Sequence, residues 1–237
     1  MSYSTPASAT GDSESSQLVT KAGDQHTSKR RRLEHPTFAD TGSSVKLLVG
    51  EQLVEVTVLK EVACLRSPVL KAAFCGSFIE SQTQAYKLCH VNKATARMLV
   101  QWLYTQDLEI NQMKDDWMPT DGAGDEECIN LAKLWILADE LGIPRLQNTV
   151  VETINDASAK WNLVNTSMVR TIYAGTQDDS PLRRFIVALC YYFLPGELYK
   201  KYTVHFPYHM LVDLAVFGAV DSNNDVFEVS DYFVDEG

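Results

Sequence analysis

Ser67-Pro68-Val69-Leu70, leading through Phe74 to Gly76-Ser77-Phe78-Ile79-Glu80-Ser81, is the stretch that decides the fold. A serine followed by proline marks a helix start: the hydroxyl can accept an amide hydrogen that lacks an intrahelical partner, and proline at the first helical position gives up an amide that had none. Leu70 and Phe74, four residues apart, then share one face of that helix. Upstream, Leu53, Val54, Val56 and Val58 read as a strand. Downstream, Met98, Leu99, Trp102 and Leu103 carry helical spacing into Tyr104-Thr105. Nothing in the stretch is a nucleophile paired with a base.

Working outward, Val45-Lys46-Leu47-Leu48-Val49 and residues 53–58 form two strands joined by a turn at Gly50-Glu51. Residues 60–66 and 68–74 are two short consecutive helices, and 85–91 a third strand. Asn92 is an N-cap for a helix through Tyr104, and Leu108-Glu109-Ile110 is expected to add a short edge strand. Asp, Gly and Pro crowd residues 112–127, an exposed loop. Leu131, Leu134, Trp135, Ala138 and Leu141 define a helix that stops at Gly142, and Pro144 opens another through Leu146, Val150 and Ile154.

Leu65, Ser67-Pro68, Leu70, Phe74, Gly76, Phe78 and Glu80-Ser81, with Trp102-Leu103-Tyr104-Thr105, together resemble a BTB/POZ domain of the fungal type. The resemblance implies an α+β fold, a small mixed sheet packed on a cluster of helices, over residues 44–156. An all-helical C-terminal extension follows at 157–219. Within it, 164–173, 182–194 and 210–217 read as helices, the second introduced by another Ser-Pro pair, Ser180-Pro181. Val169-Arg170-Thr171-Ile172-Tyr173 and Ser180-Pro181-Leu182-Arg183-Arg184 also resemble that extension. Two departures bear on self-association. Many BTB domains carry an Asp just before the first strand and a His-Lys pair entering the first helix, where this chain has Ser43-Ser44 and Leu59-Lys60.

Composition narrows the class of function. The 237 residues are 45% hydrophobic and carry a formal net charge of −10, a field that repels the phosphate backbone, so direct nucleic-acid binding is not expected. Residues 1–43, rich in Ser, Thr, Gly and Asp, are expected to be disordered. They contain Lys29-Arg30-Arg31-Arg32, a nuclear-import candidate. Five cysteines, at 64, 75, 89, 128 and 190, stand singly and read as reduced, buried thiols. No apolar run reaches the roughly 20 residues of a membrane span, so no membrane partner is expected and the location is intracellular, nuclear and/or cytoplasmic. The tail at 220–237 has six acidic residues and no basic ones from Asp221 onward. It reads as a solvated, flexible end, with a short docking peptide built on Val226, Phe227, Val229, Tyr232, Phe233 and Val234 as the alternative.

The resemblance implies a non-enzymatic protein–protein interaction module, a homodimer through the BTB domain, that links target proteins to a cullin-type ubiquitin ligase. Phe78, Ile79 and Glu80 are the cullin-binding candidates, because similar triplets present an apolar anchor and a carboxylate to the cullin. The alternative reading of these residues is that Phe78 caps the core of its own domain. The alternative function is a nuclear regulatory scaffold that assembles transcription or chromatin factors without a cullin. Residues for catalysis, cofactor or metal are absent from the reading, and no cofactor is expected. Pro207 separates His205 from His209, and the neighbours Asp115-Asp116, Glu126-Glu127 and Asp178-Asp179 point in different directions.

Overall fold

The computed structural model describes residues 35–120, 122–220 and 227–237. Val45, Leu47 and Val49 alternate with the less buried Ser44, Lys46 and Leu48, and that period of two places all three in the core from strand β1, Ser44–Val49. β1 lies in the middle of the sheet. It pairs antiparallel with β2, Val54–Leu59, in the register Val45↔Val58 and Leu47↔Val56. On its other side it pairs parallel with β3, Ala85–Leu88, in the register Leu47↔Tyr86 and Val49↔Leu88. Leu53, expected in a strand, belongs to the turn instead. Its backbone is left-handed at φ 51° and its amide bonds the carbonyl of Gly50.

β3 ends at Leu88 rather than at residue 91, because the Leu88 carbonyl accepts from the amides of both Gly50 and Val91 and the chain turns away. The edge strand expected at 108–110 does not form. Leu108 and Ile110 are buried, as an alternating pattern requires, but they cross the core without a strand partner, and the Leu108 amide is taken by the Asp107 carboxylate. Alternation reports burial on one side of an extended segment, and a ladder needs a neighbour as well.

Three short helices make the crossover from β2 to β3: α1 Lys60–Arg66, α2 Pro68–Cys75 and α3 Ile79–Thr83. Ser67 ends α1 and starts α2. Its hydroxyl accepts from the Leu70 amide at 3.0 Å, as the Ser-Pro signal requires, and donates to the Leu141 carbonyl at 2.7 Å. Leu141 and Gly142 form the corner between α5, Asp125–Glu140, and α6, Pro144–Trp161. Gly142 has φ +64°, and a β-carbon there would lie 3.1 Å from the Pro68 ring. Gly142→Ala is therefore expected to destabilise the protein by about 1–2 kcal/mol, from left-handed strain and the crowded ring, measurable by urea denaturation.

Helix α4, Lys93–Thr105, is capped by the Asn92 side chain accepting from the Thr95 amide, and it buries Trp102, whose indole donates to the Thr149 hydroxyl on α6 at 3.1 Å. The boundary drawn at 156 falls inside α6. One buried cluster runs without a break from Val45 into the C-terminal helices. These are α7 Val169–Gly175, α8 Pro181–Phe193, α9 Gly196–Lys201 and α10 Tyr208–Val220. Helix α9 has no counterpart among the expected elements, because Pro195 and Gly196 at its start mask six residues too short for periodicity to reveal. The second Ser-Pro pair starts α8 without working as the first does: the Ser180 hydroxyl is buried and has no hydrogen-bond partner among the described residues.

Both ends of the described chain touch the body. Of the segment expected to be disordered, residues 1–34, with the basic run Lys29, Arg30, Arg31 and Arg32, lie outside the described residues. Farther along, the Thr37 amide and hydroxyl both donate to the Glu61 carboxylate at 2.6 and 2.7 Å, holding that carboxyl below its ordinary range. At the other end, a solvated, flexible tail is corrected for residues 227–237. Asn148 on α6 clamps Val234: its side-chain amide donates to the Val234 carbonyl at 2.9 Å and its oxygen accepts the Val234 amide at 2.7 Å. Phe227 and Tyr232 set their rings 6.3 and 5.8 Å from that of buried Phe185 on α8. Of the apolar residues that looked excessive for a solvated tail, Phe227, Val229, Tyr232, Phe233 and Val234 pack against the core of the same chain, and residues 221–226, with Val226, lie outside the described residues.

Candidate protein-interaction surface

Glycine at 76 is a steric requirement. A β-carbon there would meet the Ala72 carbonyl oxygen head-on, so α2 can end with its last amide bonded and the chain can leave sharply only if this residue has no side chain. Two residues later Phe78 stands immediately before α3, at its N-cap. The Ser81 amide and hydroxyl both donate to the Phe78 carbonyl, at 3.1 and 2.7 Å. Gln84 closes the helix in a left-handed conformation at φ 50°, and its side-chain amide donates to the Ser81 carbonyl at 2.6 Å and the Phe74 carbonyl at 3.4 Å. Both ends of this five-residue helix are thus held by its own side chains.

The result is a rigid turn that presents apolar groups to solvent. Phe78 is 61% exposed and Ile79 62%, whereas Phe74, one turn back on α2, is the ring that enters the core. Phe78 as a cap on its own domain's core is corrected by that exposure. Glu80 is partly buried in the first turn of α3. Behind it stands Tyr86 of β3, edge-on to Phe74. Burial pushes the Tyr86 hydroxyl pKa up, with the charges of Glu140 and Glu80 adding to the effect. Glu140 in turn reaches His90 at 2.9 Å. Two exposed apolar side chains beside a carboxylate edge make a surface able to anchor a partner by burial and to orient it by charge.

The positions that depart from the usual pattern come together. Ser44 pairs with Leu59 across β1 and β2, the Lys60 amide donates to the Ser43 carbonyl, and the Leu59 amide is held by the Tyr104 hydroxyl. The acidic group and the imidazole common at this corner are replaced by two exposed hydroxyls and a half-buried leucine.

Elsewhere the sites divide. His205 accepts or donates a 2.7 Å bond with the Thr166 hydroxyl and stacks on Tyr202, while His209 lies in the first turn of α10. The cysteines are not all buried, as had been expected. Cys128 and Cys190 are, but Cys64 is only half-buried, and Cys75 and Cys89 are exposed. Cys64 and Cys75, eleven residues apart, bring their sulfurs to 3.8 Å where α1 and α2 lie side by side. Among the described residues no cluster of His, Cys, Asp or Glu is arranged to hold a metal, and no helix is long and apolar enough to cross a membrane.

Residues 37–158, from just before β1 to within α6, match the family model of the BTB/POZ domain. The chain belongs to the BTB/POZ domain family. No curated protein matches it. The BTB identity makes this a protein-interaction module, of a kind that often dimerises, built as a small mixed sheet with many helices and a helical region after it. In this BTB domain the exposed pair Phe78 and Ile79 was legible as a candidate because the phrase Gly76-Ser77-Phe78-Ile79-Glu80 frames it in sequence. The proximity of Cys64 to Cys75 was missed. Its signal is the pairing of two consecutive helices around Ser67, which folds back whatever lies near their far sides.

Proposed function

We propose that this protein is a non-enzymatic adaptor acting inside the cell, nuclear or cytoplasmic, which self-associates through its BTB domain and joins target proteins to a cullin-type ubiquitin ligase. The observation that carries the reading is the exposure of Phe78 and Ile79 on a short helix fixed at both ends, with Glu80 beside them. A preformed apolar anchor loses little freedom on binding, so its burial converts efficiently into affinity. The described part of the acidic tail is engaged with α6 and α8, so target recognition falls to the C-terminal helices.

Sedimentation velocity of the purified protein, alone and mixed with a cullin N-terminal domain, tests both halves. A dimer that moves to a larger complex with the cullin is expected. Phe78→Ala is expected to weaken that complex by about 2 kcal/mol, roughly thirtyfold in Kd, with the circular dichroism melt unchanged because the ring lies outside the core. A dimer indifferent to the cullin would move the assignment to a nuclear scaffold assembled through Lys29–Arg32-directed import. A monomer would remove self-association.

A further inference from the structure

Five cysteines are present, and chemistry separates them by place. Cys128 and Cys190 are buried, with burial pushing their thiols up to about 11 and about 12, so neither offers a thiolate to solution. Cys89 is exposed. Cys64 and Cys75 differ from all three. Their sulfurs touch at 3.8 Å, Cys64 from within α1 and Cys75 from the last residue of α2, with Cys75 open to solvent. A disulfide needs about 2.0 Å between sulfurs, so closure asks for a shift of under ~2 Å shared between two side chains.

The surroundings supply charge. Lys60 stands four residues before Cys64 on α1 (counting its first residue), and Lys71 four residues before Cys75 on α2, so each ammonium lies on the same helical face as its cysteine. Both charges act on the Cys64 thiol. Two cations beside an exposed thiol attract an anionic reactant.

We propose that Cys64 and Cys75 form a redox-active dithiol, oxidised to an intramolecular disulfide by an anionic low-molecular-weight disulfide of the glutathione class. Cys75, the exposed sulfur, loses its proton to solvent and attacks one sulfur of glutathione disulfide. The mixed disulfide forms and one glutathione leaves as thiolate and takes up a proton. Cys64 then gives its proton to solvent, attacks the Cys75 sulfur and expels the second glutathione as thiolate, which takes up a proton. Two electrons pass from the protein to the oxidant: two protein thiols become one disulfide as one glutathione disulfide becomes two glutathiones. Cys64 is the resolving partner because burial, with the hydrogen bond and charge of Cys75, raises its thiol to about 11 and leaves it protonated until its neighbour has reacted. The product ties α1 to the end of α2, immediately before the Gly76 turn.

The test uses the full chain carrying Cys89→Ser, which removes the competing exposed thiol. Treatment with glutathione disulfide, alkylation and peptide mapping are expected to give a Cys64–Cys75 linked peptide in a monomer and a loss of two hydrogens in intact mass, reversed by dithiothreitol. Adding Cys64→Ser is expected to arrest the reaction as a glutathione adduct on Cys75. Lys60→Glu with Lys71→Glu is expected to slow closure several-fold with glutathione disulfide but not with the uncharged 2-hydroxyethyl disulfide. Alkylation of both thiols after treatment, separate adducts on both, or a link between two chains would overturn the proposal. Equal slowing with both oxidants would overturn its choice of an anionic one.

Discussion

Phe185→Ala is expected to lower the stability of this protein by about 4 kcal/mol, the largest effect of any single substitution considered. The side chain is fully buried on α8, and truncating such a ring costs its transfer free energy together with the cavity left behind. Here the cavity does not stay local. Phe227 and Tyr232 of the tail rest on the Phe185 ring, so its removal also takes away the floor on which residues 227–237 sit. Urea denaturation followed by tryptophan fluorescence measures the loss. A change below about 1 kcal/mol would mean that α8 is not part of the core it shares with the BTB region. Limited proteolysis supplies a second readout: in the variant the tail should be cut at protease concentrations that leave the parent intact.

Ser67→Ala is expected to cost about 3 kcal/mol, and Ser180→Ala to change stability by less than about 0.5 kcal/mol, although both serines precede a proline and both start a helix. Ser67 is wholly buried and its hydroxyl makes two bonds, accepting from Leu70 and donating to Leu141. Alanine there removes an N-cap, worth about 1 kcal/mol, and strands the Leu141 carbonyl in the core, a further loss of about 1–3 kcal/mol. The Ser180 hydroxyl is buried but has no partner among the described residues, so its removal abolishes a desolvated group that gained nothing. Equilibrium denaturation of the two variants side by side checks the contrast. Equal effects would mean that the corner between α1 and α2 is not seated on the Leu141–Gly142 turn.

The same two dipeptides mark how far the sequence carries. Helix starts were legible because they depend on neighbours along the chain: both Ser-Pro pairs begin helices, and Asn92 caps α4 as its type suggests. What the hydroxyls bond to depends on a partner 74 residues away in one case and on none in the other, and no local pattern contains that information. Leu108 and Ile110 illustrate the same limit. Their alternation is real, but whether a buried extended segment becomes a strand depends on a neighbour elsewhere. The candidate surface was legible in its residues and not in its rigidity, which comes from Gln84 reaching back to Ser81 and Phe74. For the tail, net charge suggested solvation, while the spacing of Phe227, Tyr232 and Val234 matched a groove formed by α6 and α8 that only the folded body supplies.

The way the tail covers Phe185 also sets an order of events during synthesis. Tyr232 leaves the ribosome after Phe185, and at about 5–20 residues per second the interval between them lasts on the order of 2–10 seconds. Through that interval the α8 aromatic surface is made but uncovered, a sticky site on a nascent chain. Residues 227–237 supply the cover for that surface, and a ribosome stalled shortly before Phe227 would hold a body in which this hydrophobic seam cannot close.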